Sequence, residues 1–177
     1  MSASGARVIG SAQNDHPQGG CPTLVTMILY GLHVLFAILW VGGDMFSNFV
    51  VIPAANGIDP VHANAFLGKF GKAAERYMGP VGALTILFGI LLGWKLGAWG
   101  NIGYAYGNTY LSAMVLAIAV YLWGILMLGR NIKKAMSFGI GTPEFVAIVD
   151  KVKKYSGIQL IGFLGIFILM VLMRFGL

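Results

Sequence analysis

Four stretches without a single charged side chain limit what this chain can fold into. Residues 16–43, 77–94, 96–129 and 155–173 contain no Lys, Arg, Asp or Glu. A helix needs about 20 mostly apolar residues to cross a hydrocarbon core about 30 Å thick. The third stretch also holds a polar turn rich in Gly and Tyr, so it supplies a loop and one span. The sequence therefore predicts four spans, near 24–52, 77–98, 109–129 and 156–174. Charged residues make up 10% of the chain, against about 25% in soluble domains. A transmembrane barrel would alternate apolar and polar residues, and Val81–Leu92 (VGALTILFGILL) does not. The expected fold is all-α: an integral membrane four-helix bundle forming one domain over 23–177.

Residues 1–22 are rich in Gly, Ser, Asn and Gln and lack an apolar run, so they read as a flexible extramembrane tail rather than a signal peptide. The single cysteine, Cys21, excludes an intramolecular disulfide and a Cys-ligated cluster.

Basic residues fall on one side. Lys69, Lys72 and Arg76 precede span 2, and Arg130, Lys133, Lys134, Lys151, Lys153 and Lys154 separate spans 3 and 4. The positive-inside rule then puts both connections in the cytoplasm and both termini outside, as for a protein of the cell inner membrane. The net charge of +6 follows from this asymmetry and suits anionic headgroups, so it calls for a lipid bilayer and not for nucleic acid. Trp94, Trp99, Tyr104, Tyr106 and Tyr110 at the outer ends, with Tyr77 and Tyr155 at the inner ends, read as aromatic belts.

Each cytoplasmic connection carries a short amphipathic helix in this reading. Asp59-Pro60 and Thr142-Pro143-Glu144 each provide an N-cap followed by proline at the first helical position. Phe66, Phe70, Ala73 and Tyr77 then share one face, and Phe145, Ile148, Val149 and Val152 share another. Each helix runs directly into the next span, which suggests two hairpins of similar design. Pro80 is expected in the first turn of span 2, where its missing N–H costs nothing.

Span 1 carries the chemistry. At about 100° per residue, Thr26, His33, Ala37, Trp40, Asp44 and Ser47 lie on one stripe. His33 falls about 14 Å from the outer end, near the midplane. An ionisable group at that depth requires a partner or a role. The ring can hydrogen-bond a neighbouring helix and fix packing. It can also ligate a haem iron or another metal, with small Ala37 and flat Trp40 beside it. Asp44 lies about 16 Å further along, too far to share a metal ion with His33, and is a candidate for proton or ion handling. Gly82, Gly89, Gly93 and Gly97 give span 2 a small-residue groove for close helix packing. Span 3 offers Met114 and Tyr121 on one face, with Met114 a possible thioether ligand. Span 4 offers Ser156 and Gln159 at its inner end. The absence of a Walker loop, a nucleotide-binding glycine fingerprint, a Ser/His/Asp set and HExxH excludes the common soluble chemistries.

The segment LHVLFAILWVGG, from Leu32 to Gly43, resembles helix 1 of the four-helix proteins related to CopD and to the HemJ-type protoporphyrinogen oxidases. Glu75-Arg76-Tyr77, Pro80, Thr85, Phe88-Gly89, Gly129-Arg130 and Lys133-Lys134 extend the likeness over residues 24 to 134. The resemblance implies that His33 ligates haem b. The HemJ-type enzymes also use a lysine on helix 3, and that position falls near Met114 here. Span 3 has no lysine, which leaves room for a His/Met haem, a five-coordinate haem or no haem. CopD-like relatives imply copper handling, for which His and Met suit Cu(I). Three functions are thus expected. The first is a haem-b redox subunit of a membrane electron-transfer complex. The others are an accessory subunit bound to other membrane proteins and a copper transport protein.

Overall fold

The computed structural model describes residues 23–55, 57–138 and 142–175; the tail 1–22, with Cys21, lies outside them. The fold is all-helical, with α1 (Leu24–Phe46), α2 (Ile52–Ala55), α3 (Pro60–Lys95), α4 (Ala105–Trp123), α5 (Arg130–Ala135) and α6 (Pro143–Arg174). A π-helical turn, Ser47–Val51, joins α1 to α2, and another, Gly124–Gly129, joins α4 to α5. Four continuous helices result: Leu24–Ala55, Val61–Lys95, Ala105–Ala135 and Pro143–Arg174. All four are long and apolar enough to cross a membrane. Their outward faces carry Ile38, Phe49, Ile161 and Phe167, all well exposed. Such a surface would be an aggregation liability in water, and it suits hydrocarbon.

The two amphipathic segments are not separate helices. They are the leading turns of α3 and α6, continuous with the spans that follow. Their caps form as the sequence predicts. The Asp59 carboxylate accepts from the Val61 N–H at 3.0 Å, and the Thr142 hydroxyl accepts from the Phe145 N–H at 3.3 Å. Asp59→Ala is expected to weaken the start of α3 by about 1 kcal/mol. Faster hydrogen exchange confined to the amides of Val61–Ala63 would register it; unchanged exchange there would count against the cap.

Continuity corrects the expectation for Pro80, which lies inside α3 and not in a first turn. An interior proline removes an intrahelical hydrogen bond and crowds the carbonyl four residues back. The Tyr121 hydroxyl donates to the neighbouring Gly79 carbonyl at 3.2 Å, which ties α4 to this part of α3; the carbonyl that Pro80 frees is a different one, that of Arg76. Pro53, placed just after the Ser47–Val51 turn, similarly has no N–H to continue an α ladder, and the widened turn absorbs the change of register.

Helix α1 packs chiefly along α3, and α4 along α6. The two hairpins meet at a core of Trp40, Val81, Val120 and Phe163. Trp40 lies edge-on to Phe163 with centroids 5.0 Å apart and to Tyr121 at 5.9 Å.

The tight connection between α3 and α4 depends on backbone that only glycine adopts readily. Gly97 has φ of +71° and ends α3 in the left-handed conformation. The expected groove of Gly82, Gly89, Gly93 and Gly97 therefore loses its last member, which terminates the helix instead of packing against another. Tyr110 also leaves its expected place in the outer aromatic belt. It is buried and lies edge-on to Trp99 at 5.7 Å, whereas Trp94 and Tyr104 are exposed.

Candidate functional site

His33 is 9% exposed and faces α3. Its Nδ1 lies 2.9 Å from the Thr85 carbonyl oxygen. A carbonyl can only accept, so Nδ1 carries the proton, and in the neutral ring Nε2 keeps its lone pair. No hydrogen bond engages Nε2 among the described residues.

The ring fits because α3 has Gly89 beneath it. A Cβ there would come within 3.0 Å of Cε1 and 3.2 Å of Nδ1. The Thr85 hydroxyl donates to the Val81 carbonyl at 2.9 Å, which keeps it turned back onto its own helix. One turn along α1 from His33, Phe36 stacks on Phe88 with centroids 5.5 Å apart.

The other members of the stripe part company. Ala37 is half-buried. Trp40 belongs to the core between the hairpins, with Phe163 and Tyr121 at its edges and faces. Met114 is half-buried on α4, while the hydrogen bond and the glycine contact that hold His33 both come from α3. Gly82 and Gly93 act like Gly89, each receiving an aromatic ring: Trp40 and Tyr121 at Gly82, Tyr110 at Gly93.

A second polar group lies toward the loop-bearing end. The Gln159 Nε2 amide donates to Asp44 Oδ1 at 3.4 Å, and the Ser156 hydroxyl donates to Asn48 Oδ1 at 2.6 Å. Asn48 Nδ2 in turn donates to the Asp44 carbonyl at 2.9 Å, and the Ser47 hydroxyl to the Gly43 carbonyl at 2.7 Å. Gln159 and Ser156 are buried, and Gly124, at the start of the π-helical turn after α4, leaves room for the Gln159 amide. The sequence marks Asp44, Ser156 and Gln159 as polar residues within apolar spans but does not pair them, and the only signal for Asn48 is its place one turn beyond Asp44 on the same helix.

Among the described residues no three His, Cys, Asp or Glu side chains gather into a metal-binding group. The donor chemistry at His33 is that of a single imidazole with its second nitrogen anchored. That set fits a haem, which needs only one or two protein ligands, better than a bare metal ion that needs several.

The fold and site define an all-helical bundle with four helices long and apolar enough to span a membrane and one anchored, buried histidine. Comparison with protein-family models, curated proteins and solved structures finds no match.

Proposed function

We propose that this chain is an integral membrane protein that holds haem b through His33 and serves as a redox subunit of a membrane electron-transfer complex. The observation that carries the reading is the state of the imidazole. A single bond from the ring to a backbone carbonyl is also what a histidine kept for packing makes; a ligating histidine shares that bond and uses the lone pair it leaves on the other nitrogen. The Thr85 carbonyl holds Nδ1–H at 2.9 Å, and Nε2 has no hydrogen-bond partner among the described residues. Metal-bound histidines characteristically donate such a bond through the nitrogen that does not ligate, which sets ring orientation and raises basicity.

Haem b, when bound, would supply a one-electron couple. His33 would hold its iron, Thr85 would orient the imidazole, and the Phe36–Phe88 pair one turn away would keep the surroundings apolar. In this reading the basic connections face the cytoplasm, the termini lie outside, and other membrane subunits bring the electron donor or acceptor. The resemblance to the HemJ-type proteins points the same way, and that to the CopD-like proteins points to copper. Copper transport would call for several convergent soft or imidazole ligands, so it is the weaker alternative.

The protein expressed with haem available and purified in mild detergent is expected to show a Soret band, and His33→Ala is expected to abolish it. A wild-type spectrum without the band, or an unchanged band in His33→Ala, overturns the assignment.

A further inference from the structure

The group formed by Asp44, Asn48, Ser156 and Gln159 plays no part in the His33 site. Two of its oxygens are buried without a hydrogen-bond donor: Asp44 Oδ2 and Gln159 Oε1. Gln159 is 5% exposed, so water does not freely reach it. Each orphan sits on the same terminal group as an atom that is already paired, because Gln159 Nε2 donates to Asp44 Oδ1 at 3.4 Å.

An ionised Asp44 would make this arrangement poor. A carboxylate offers only acceptors, as does the amide oxygen. A buried acceptor without a donor costs about 1–3 kcal/mol, and more when charged. No cationic side chain compensates among the described residues: the ion pairs are Asp59–His62, Glu75–Lys133 and Asp150–Lys153. The elements packed around Asp44 bring little charge. Helix α6 contributes the neutral Ser156 and Gln159. The π-helical turn after α4 contributes Gly124 against Gln159, and α3 brings Tyr77 and Met78 against Gly43.

One proton removes both defects. Placed on Asp44 Oδ2, it makes that oxygen a donor, and the natural acceptor is Gln159 Oε1. Carboxyl and carboxamide then form a closed two-armed pair, with N–H donating to Oδ1 in one arm and O–H donating to Oε1 in the other. We propose that Asp44 and Gln159 form an intramembrane proton-binding site, occupied by a neutral carboxylic acid, that clasps α1 to α6. The proton comes from water and the carboxylate takes it up, with no redox change. Asn48 follows Asp44 by one turn and Ser156 precedes Gln159 by about one turn, both toward the end bearing the basic connections. The proton therefore exchanges with that end.

The test is infrared spectroscopy of the full chain in lipid nanodiscs at neutral pH, with and without ¹³C-aspartate. A protonated carboxylic acid carbonyl band that moves with the label, is indifferent to sodium, and is lost in Asp44→Asn supports the site. Asp44→Asn places an amide where the acid stood, so it keeps both arms and is expected to leave resistance to sodium dodecyl sulfate unchanged. Gln159→Leu is expected to retain the acid band and shift it to that of an unbonded carbonyl. A label-sensitive carboxylate band with no acid band in the wild-type protein overturns the proposal. An acid band that disappears on adding sodium also overturns it and assigns the oxygens to a cation. Because the wild-type labelled spectrum decides between these outcomes, the test survives a variant that does not fold. It is also independent of haem.

Discussion

Trp40→Ala is expected to lower the stability of the bundle by about 3–5 kcal/mol, whereas Trp94→Ala changes it by less than about 0.5 kcal/mol. Trp40 is 5% exposed and Trp94 is 70% exposed, so the two substitutions delete the same atoms from opposite environments. In a bilayer the usual transfer contribution largely vanishes, because lipid tails are as apolar as the interior. What remains is the void. A hole of about 100 Å³ at about 24 cal/mol per Å³ costs about 2.4 kcal/mol. Two edge-on aromatic contacts, to Phe163 at 5.0 Å and Tyr121 at 5.9 Å, add about 0.5–1.5 kcal/mol each. The loss falls at the junction of the hairpins, so each hairpin stays helical while the pair separates. Titration of the micelle-embedded protein with sodium dodecyl sulfate, read by resistance to a pulse of protease, gives the two midpoints. Equal midpoints for the two variants would show that Trp40 does not join the hairpins.

The pattern of charge-free runs contained most of the fold, and the structure shows where that legibility stops. Span number and the caps at Asp59 and Thr142 are local properties, set by composition over about 20 residues or by one side chain and one N–H. The π-helical turns are not local in that sense. Ser47–Val51 depends on how Pro53 continues the helix, and Gly124–Gly129 lies beside Gln159 of another element. Each amphipathic segment was legible as running directly into its span, but the setting of Pro80 escaped, because its turn counts from the apolar start of the span near Tyr77 in the sequence and from the cap at Asp59 in the helix. At the His33 site the sequence marked the residue but not what holds it. The acceptor is a backbone oxygen, which every residue has, so no residue type could announce it. Gly89 was legible as a small residue, yet its partner was expected to be a helix in general and proved to be the imidazole ring. The stripe on span 1 divides three ways, with His33 on α3, Trp40 on the core and Asp44 on α6. A single helix face in a bundle meets several neighbours along its length, and sequence periodicity gives the face without the neighbours.

Gly93→Ala is expected to cost about 1–3 kcal/mol, although glycine-to-alanine in a helix interior ordinarily gains up to about 1 kcal/mol. The reversal of sign comes from Tyr110. Its phenol ring and hydroxyl occupy the space that a methyl group at position 93 would fill. That hydroxyl donates to the Gly89 carbonyl at a long 3.4 Å, so the same ring that would be displaced also satisfies the backbone one turn away. Tyr110 further packs against Trp99 at 5.7 Å, which leaves it little freedom to swing aside. Gly31→Ala is the matched control, since nothing lies within 4 Å of a Cβ placed there; it is expected to be neutral or slightly stabilising. A double-mutant cycle with Tyr110→Leu separates overpacking from other effects. Shortening the ring relieves the crowding, so Gly93→Ala should cost clearly less in the Tyr110→Leu background, giving a coupling of about 1 kcal/mol or more. Should Gly93→Ala and Gly31→Ala shift the detergent midpoint alike, or the cycle close without coupling, the ring does not rest on α3 at Gly93. The glycines at 82 and 89, which receive Trp40, Tyr121 and His33 by the same device, would then need another reason to be small.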